Sequence, residues 1–157
     1  MNNQFDLSTP ELTTPELSTL LGDLVTVTHR LTRLAAQATG ESTSPAAWRT
    51  LSVLTSAGPM RIGELALASR VSQPTMTKIV ANLNEVEWIK RIADSSDARA
   101  WQIAIAPKGQ NALNDWRYRL GAALEPLFAD LTTRELGVLA EATDLIGDRI
   151  GVQELAA

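Results

Sequence analysis

Seven consecutive residues, Ser72-Gln73-Pro74-Thr75-Met76-Thr77-Lys78, set hydroxyl, amide and ammonium groups around two apolar side chains. None of these groups breaks bonds unaided. Gln73, Thr75 and Thr77 suit phosphates or base edges, and Lys78 suits a phosphate or the acceptors of guanine. Pro74 and the Thr77 methyl offer apolar contact to a thymine methyl. Further along, Arg99 is placed to enter a narrow minor groove, where the negative potential is enhanced, and Asp97 to orient its guanidinium. Arg91 adds a cation between them. This is the chemistry of recognising nucleic acid, not of catalysis. Carboxylates are scattered, no glycine-rich phosphate loop is present, and any nucleophile–base pair would have to use the single histidine, His29. No catalytic residue, metal or cofactor is expected. The absence of cysteine excludes disulfides, thiolate zinc sites and thiol-based oxidant sensing.

The elements that must position these groups follow from spacing. Two short amphipathic segments, Arg61–Ser69 and Ser72–Glu85, are separated only by Arg70 and Val71, so they must cross steeply. That is a helix-turn-helix whose second helix projects toward a major groove. Ser72 is the expected N-cap, and Val71 with Met76 forms a hydrophobic staple. Met76, Ile79, Val80, Leu83 and Val86 fall on the core-facing side. Two partly alternating runs, Trp88–Ile92 and Trp101–Ile105, flank a polar turn from Ala93 to Ala98 and read as a hairpin wing with Arg99 near its tip.

Helices bracket this unit. Thr9-Pro10-Glu11-Leu12 and Thr14-Pro15-Glu16-Leu17 each carry a helix start, and the second launches a leucine-striped helix that Gly40 ends. Ser44-Pro45 starts another, with Trp48, Leu51 and Leu54 on one face and Gly58-Pro59 as its stop. Pro107 opens a long helix that Gly121 and Pro126 should bend or interrupt, and Thr132 with Glu135 forms a capping box for the last one. The small central unit offers little surface to bury the terminal stripes, which predicts pairing with a second copy. The fold class is therefore mainly α with a small β-hairpin wing. It reads as one domain over 1–157, with a winged helix-turn-helix over 45–106 and dimerisation helices over 15–40 and 107–153.

Charge is distributed to match. From Arg61 to Lys108 seven basic residues face five acidic ones, a net +2 within a chain of −4, so the remainder carries −6. Local positive charge is what phosphate contact needs, and an acidic remainder limits indiscriminate binding. No apolar run approaches the ~20 residues that span a bilayer, and the N-terminus has no signal region, so no membrane contact and a cytoplasmic location are expected.

The segment Met60–Gly109 resembles the MarR family of bacterial winged-helix regulators. The resemblance rests on Ile62-Gly63-Glu64-Leu65-Ala66, on Val71 through Thr77, on Leu83 and Trp88-Ile89-Lys90-Arg91, on Asp97-Ala98-Arg99, and on Pro107-Lys108-Gly109. Trp48 through Leu54 resembles the family's second helix. The resemblance implies a homodimer reading a pseudo-palindromic operator in double-stranded DNA, most often as a repressor, with Arg99 as the wing arginine of the minor groove. It also implies release by a small aromatic effector. His29, Trp48, Arg49, Trp116 and Tyr118 lie near the expected crevice, but each is more simply a core, interface or exposed residue, so none is assigned to a site. Two positions depart from the family: Glu87 replaces a usual glycine, and Ala106 a usual capping threonine. The alternative function is a winged helix that meets a protein partner and no DNA.

Overall fold

The computed structural model describes residues 14–155 apart from Glu41 and Ala98. The first Thr-Pro-Glu-Leu copy lies outside the described residues. The order is α1 (Thr14–Thr39), α2 (Pro45–Ser56), α3 (Ile62–Ala68), α4 (Gln73–Glu85), β1 (Ile89–Ala93), β2 (Trp101–Ile105), α5 (Pro107–Leu124), a 3-10 turn (Glu125–Leu127) and α6 (Thr133–Leu155).

Caps delimit most of these elements where the residue types expect them. The Ser44 hydroxyl accepts from the Ala47 amide at the head of α2, and Gly40 and Gly58 adopt positive φ just past α1 and α2. At α6 the Glu135 carboxylate accepts from the Thr132 amide at 2.8 Å while the Glu135 amide donates to the Thr132 hydroxyl at 3.3 Å. Two expectations shift. Gly121 lies within α5 without interrupting it; the break falls at Pro126, which has no amide proton to continue the helix. Val86 is 43% exposed because it is the C-cap of α4, one residue past the face that Met76, Ile79, Val80 and Leu83 bury.

One hydrophobic core serves the reading head. Trp48, Leu51 and Leu54 of α2 meet Leu65 of α3, Met76, Ile79, Val80 and Leu83 of α4, Ile89 and Ile103 of the hairpin, and Leu113 of α5. Leu51, Leu65, Met76 and Leu113 are fully buried, each contributing roughly 1.5–3 kcal/mol by leaving water. The hairpin pairs Ile89 with Ile105 and Arg91 with Ile103, and Met60 adds a bridge to the free side of Ile103. That bridge ties the start of α3 to the second wing strand.

The long helices are bound less completely. α1 packs on α5, burying Ala35, yet Leu17, Leu20, Leu21, Val25 and Val27 remain exposed. Leu136, Val138, Leu139, Leu145 and Ile150 of α6 are exposed as well.

The tightest approach of the head to α5 is at Gly109. Gly109 is buried, and a Cβ there would overlap the Trp88 carbonyl oxygen. That oxygen accepts from the Ala106 amide at 2.9 Å, which anchors the start of α5, where the alanine side chain makes no cap bond. Gly109→Ala must push two backbones apart, and its urea midpoint should fall by the equivalent of about 1–3 kcal/mol. An unchanged midpoint would show that the approach relaxes freely.

Candidate nucleic-acid interface

The recognition helix is aimed by the turn before it. α3 ends with Arg70 at φ +54, its amide bonded to the Leu67 carbonyl and the Val71 amide to the Ala66 carbonyl, both at 3.0 Å. This is a Schellman closure made without glycine, at a cost of about 1–2 kcal/mol for the left-handed backbone. The Ser69 carbonyl, at the cap of α3, accepts from Arg49 Nη1 at 3.2 Å. Ser72 then caps α4, accepting from the Thr75 amide at 3.4 Å and pairing with the Thr75 hydroxyl at 2.8 Å.

α4 repeats the device at its other end. Glu87 takes φ +62, its amide bonds to the Asn84 carbonyl, and the Trp88 amide bonds to the Leu83 carbonyl. The turn that the family makes with glycine is kept, with Lys108 Nζ meeting the Glu87 carboxylate at 3.0 Å. Both side chains are exposed, so this ion pair offsets little of the backbone strain.

Ser72, Gln73, Pro74, Thr75, Thr77 and Lys78 are all exposed on the outer side of α4, opposite the buried Met76, Ile79, Val80 and Leu83. The Thr77 hydroxyl donates to the Gln73 carbonyl at 3.0 Å, which leaves its oxygen as an acceptor and turns its role toward the methyl. Arg91 is exposed on β1, and Arg99 is exposed in the wing turn.

Asp97 works differently from the expectation. Its carboxylate accepts from the Arg99 backbone amide at 3.0 Å, and among the described residues it forms no ion pair with the Arg99 guanidinium. The bond is the local turn of an aspartate to the amide two residues on, so Asp97 shapes the loop that carries Arg99. The carboxylate that anchors the wing is Asp94, which the sequence did not single out. It is buried, accepts from the Ser96 amide at 2.8 Å and the Ser96 hydroxyl at 2.6 Å, and pairs with Arg61 Nε at 2.7 Å. The local signal was the Asp94-Ser95-Ser96 turn; the Arg61 partner, from the start of α3, has no local signal.

Two of the seven basic residues in this region, Arg61 and Lys108, are thus paired within the chain. Arg70, Lys78, Lys90, Arg91 and Arg99 are exposed and form no ion pair among the described residues.

Behind the head, α1, α2 and α5 line a half-open cavity of about 520 Å³. His29, Arg33, Trp48, Arg49 and Trp116 line it. Tyr118, the fifth aromatic or cationic residue expected near the crevice, is 76% exposed and does not line it. Trp48 is both core and wall: its ring stacks on Trp116 at 4.9 Å and on Trp88 at 5.2 Å. Its buried indole N–H has no acceptor among the described residues.

Residues 43–101 match the model of the MarR family. The winged helix is thus similar to those of the MarR family. The chain is 28% identical over 96 residues to an uncharacterised HTH-type transcriptional regulator of Mycobacterium bovis, covering 61% of this chain and 67% of the other. In fold it is similar to a transcriptional regulator of Thermotoga maritima, with a TM-score of 0.65 at 22% identity, over 88% of this chain and 96% of that one. It is also similar to MarR of E. coli, with a TM-score of 0.62 at 19% identity, over 80% of this chain and 95% of that one. The MarR-family match runs from just before α2 to the start of β2 and so includes the recognition helix and the wing turn. Among the described residues no helix is long and apolar enough to cross a membrane.

Asp94 makes the wing sensitive to acid. Bonds from Ser96 first, then Arg61, hold its carboxyl well below the usual carboxylate range. A depressed folded value stabilises the native state above the unfolded value of about 4, and that stability is lost as pH falls toward the folded value. Acid titration below pH ~4 should therefore loosen the wild-type hairpin, and Asp94→Asn should lose that component while unfolding earlier at neutral pH. Identical acid profiles for both proteins would remove Asp94 as the anchor.

Proposed function

We propose that this chain is a homodimeric transcriptional regulator that binds a pseudo-palindromic site in double-stranded DNA, acting as a repressor that a small aromatic ligand releases. The observation that carries the DNA reading is the outer surface of α4. Gln73, Pro74, Thr75, Thr77 and Lys78 are presented together on a helix whose other face is locked into the core. Arg99, held out on the wing turn, supplies a second contact for the adjacent minor groove. Arg91 and Ser72 are assigned to the phosphates beside these elements, and Asp97 to shaping the wing turn.

Dimerisation is supported by the apolar residues that α1 and α6 leave exposed, Leu20, Leu21, Leu139 and Leu145 among them. Helices this long and this apolar bury their stripes against a second copy more readily than against water. Ligand control is supported by the cavity among α1, α2 and α5. Its volume of about 520 Å³ suits a small molecule, and stacked indole faces form part of its wall.

Gel-shift titration on the chromosomal region upstream of its own gene, repeated at several salt concentrations, tests the DNA assignment. Lys78→Ala and Arg99→Ala should each reduce the log–log salt slope by about 1, one phosphate's worth of counterion release. Unchanged slopes in both variants would remove these contacts, and no binding at any salt would favour a protein partner instead. Sedimentation of the native chain should give a dimer mass, and Leu20→Glu combined with Leu139→Glu should give a monomer. A double variant that stays dimeric would place the interface elsewhere.

A further inference from the structure

Trp101 stands apart from the other tryptophans of the chain. Trp48, Trp88 and Trp116 form one stack against the core of the head. Trp101 opens β2 and is 60% exposed. The hairpin register explains why. Residues paired across two strands share a face, so Ile89 with Ile105, Arg91 with Ile103 and Ala93 with Trp101 lie on the same side. Ile89 and Ile103 on that side are buried in the core, but the sheet has run past the core where it reaches Ala93 and Trp101. Ala93 is itself exposed and too small to cover an indole.

An indole at the end of a wing adds little to the fold, and its large apolar area leaves water only when another molecule covers it. Its neighbours indicate which kind. Arg91 is its diagonal neighbour on the same face, within reach of a long side chain, and Arg99 lies two residues before it. Both are exposed, and neither forms an ion pair among the described residues. The nearby carboxylates are engaged, Asp94 by Arg61 and Ser96, and Asp97 by the Arg99 amide. The patch therefore suits a surface that sets anionic groups on either side of an apolar one. A DNA strand does this, with deoxyribose rings between its phosphates.

We infer that Trp101 is a further DNA contact, its indole laid against the deoxyribose rings that border the minor groove Arg99 enters. Reach permits this. Two residues span at most about 7 Å and the minor groove is about 6 Å wide, so with Arg99 in the groove Trp101 meets its wall. The contact differs in kind from those of Lys78 and Arg99, because an apolar side chain releases no counterion. It rests on the DNA reading above, and adds to it a contact whose strength salt leaves largely unchanged.

The test uses the full chain and the same upstream DNA. Acrylamide quenches exposed indoles first, so in the free protein it should act on Trp101 before the stacked tryptophans, and Trp101→Phe should lack that component. Bound DNA should reduce the quenching of Trp101 several-fold. Trp101→Ala should keep the wild-type urea midpoint and the wild-type log–log salt slope, yet bind DNA about tenfold more weakly, as for one aromatic side chain left partly uncovered. Trp101→Phe, which keeps a ring, should recover most of that affinity. Wild-type affinity in Trp101→Ala, or quenching that DNA leaves unchanged, overturns the contact and spares the DNA reading. So does a loss of affinity with a slope smaller by about 1, which assigns the effect to a displaced cation. A lower urea midpoint in Trp101→Ala also overturns it, by making Trp101 a structural residue. Absence of binding by the wild type overturns the DNA reading and this contact with it.

Discussion

The backbone of Trp88 is the point through which the recognition helix, the wing and the long helix α5 are held in register. Its amide donates to the Leu83 carbonyl and closes α4; its carbonyl accepts from the Ala106 amide and starts α5. Gly109 lets α5 lie directly on that carbonyl, where a Cβ would overlap it. The ring stacks on Trp48 and so reaches the core of the head. Because both backbone groups of one residue are engaged, turning α4 relative to α5 strains a chain of two hydrogen bonds in a partly buried place. A head connected this way moves as a body with its long helix. For a dimer of such chains, the spacing of the two recognition helices then follows from how the long helices meet.

Charge is organised around the same frame. Arg61 is a cation near the wing, but its guanidinium is engaged by Asp94, and Lys108 faces Glu87. These pairs fix the start of α3 to the wing turn and the start of α5 to the end of α4. Of the cations left exposed, Lys78 on α4 and Lys90, Arg91 and Arg99 on the wing lie on elements that project from the core. Formal charge counted along the sequence merges the two groups; only tertiary contacts separate the structural cations from those available to a polyanion.

Much of this was legible because caps and stripes are local. Ser44, Ser72 and the Thr132–Glu135 box stand where helices begin, and Gly40 and Gly58 where helices end. The two strands fall on the alternating runs, with the first displaced by one residue. What escaped was of two kinds. Arg70 and Glu87 close helices in the left-handed region although neither is glycine, so propensity gives no mark of Arg70, and Glu87 stood out only against a family pattern. Asp94 with Arg61, and Arg49 with Ser69, are partners far apart in the chain whose meeting depends on the packed core between them. The role of Asp97 was misread for a related reason. A charge beside Arg99 suggests an ion pair, whereas the nearer backbone amide takes the carboxylate first.

Two of the ties that hold the head differ in stiffness. At Trp88 and Gly109 the tie is backbone against backbone, closed by hydrogen bonds and by the absence of a side chain. At Arg49 and Ser69 it is one long, partly exposed side chain on a carbonyl. The cavity has α1, α2 and α5 for walls and includes Arg49, Trp48 and Trp116. A molecule of its size cannot supply what the first tie would lose, because no ligand group replaces a backbone packed against a backbone. It can supply an acceptor for Arg49, and for the unmatched indole N–H of Trp48. A binding event acts only through interactions that differ between the two states it selects.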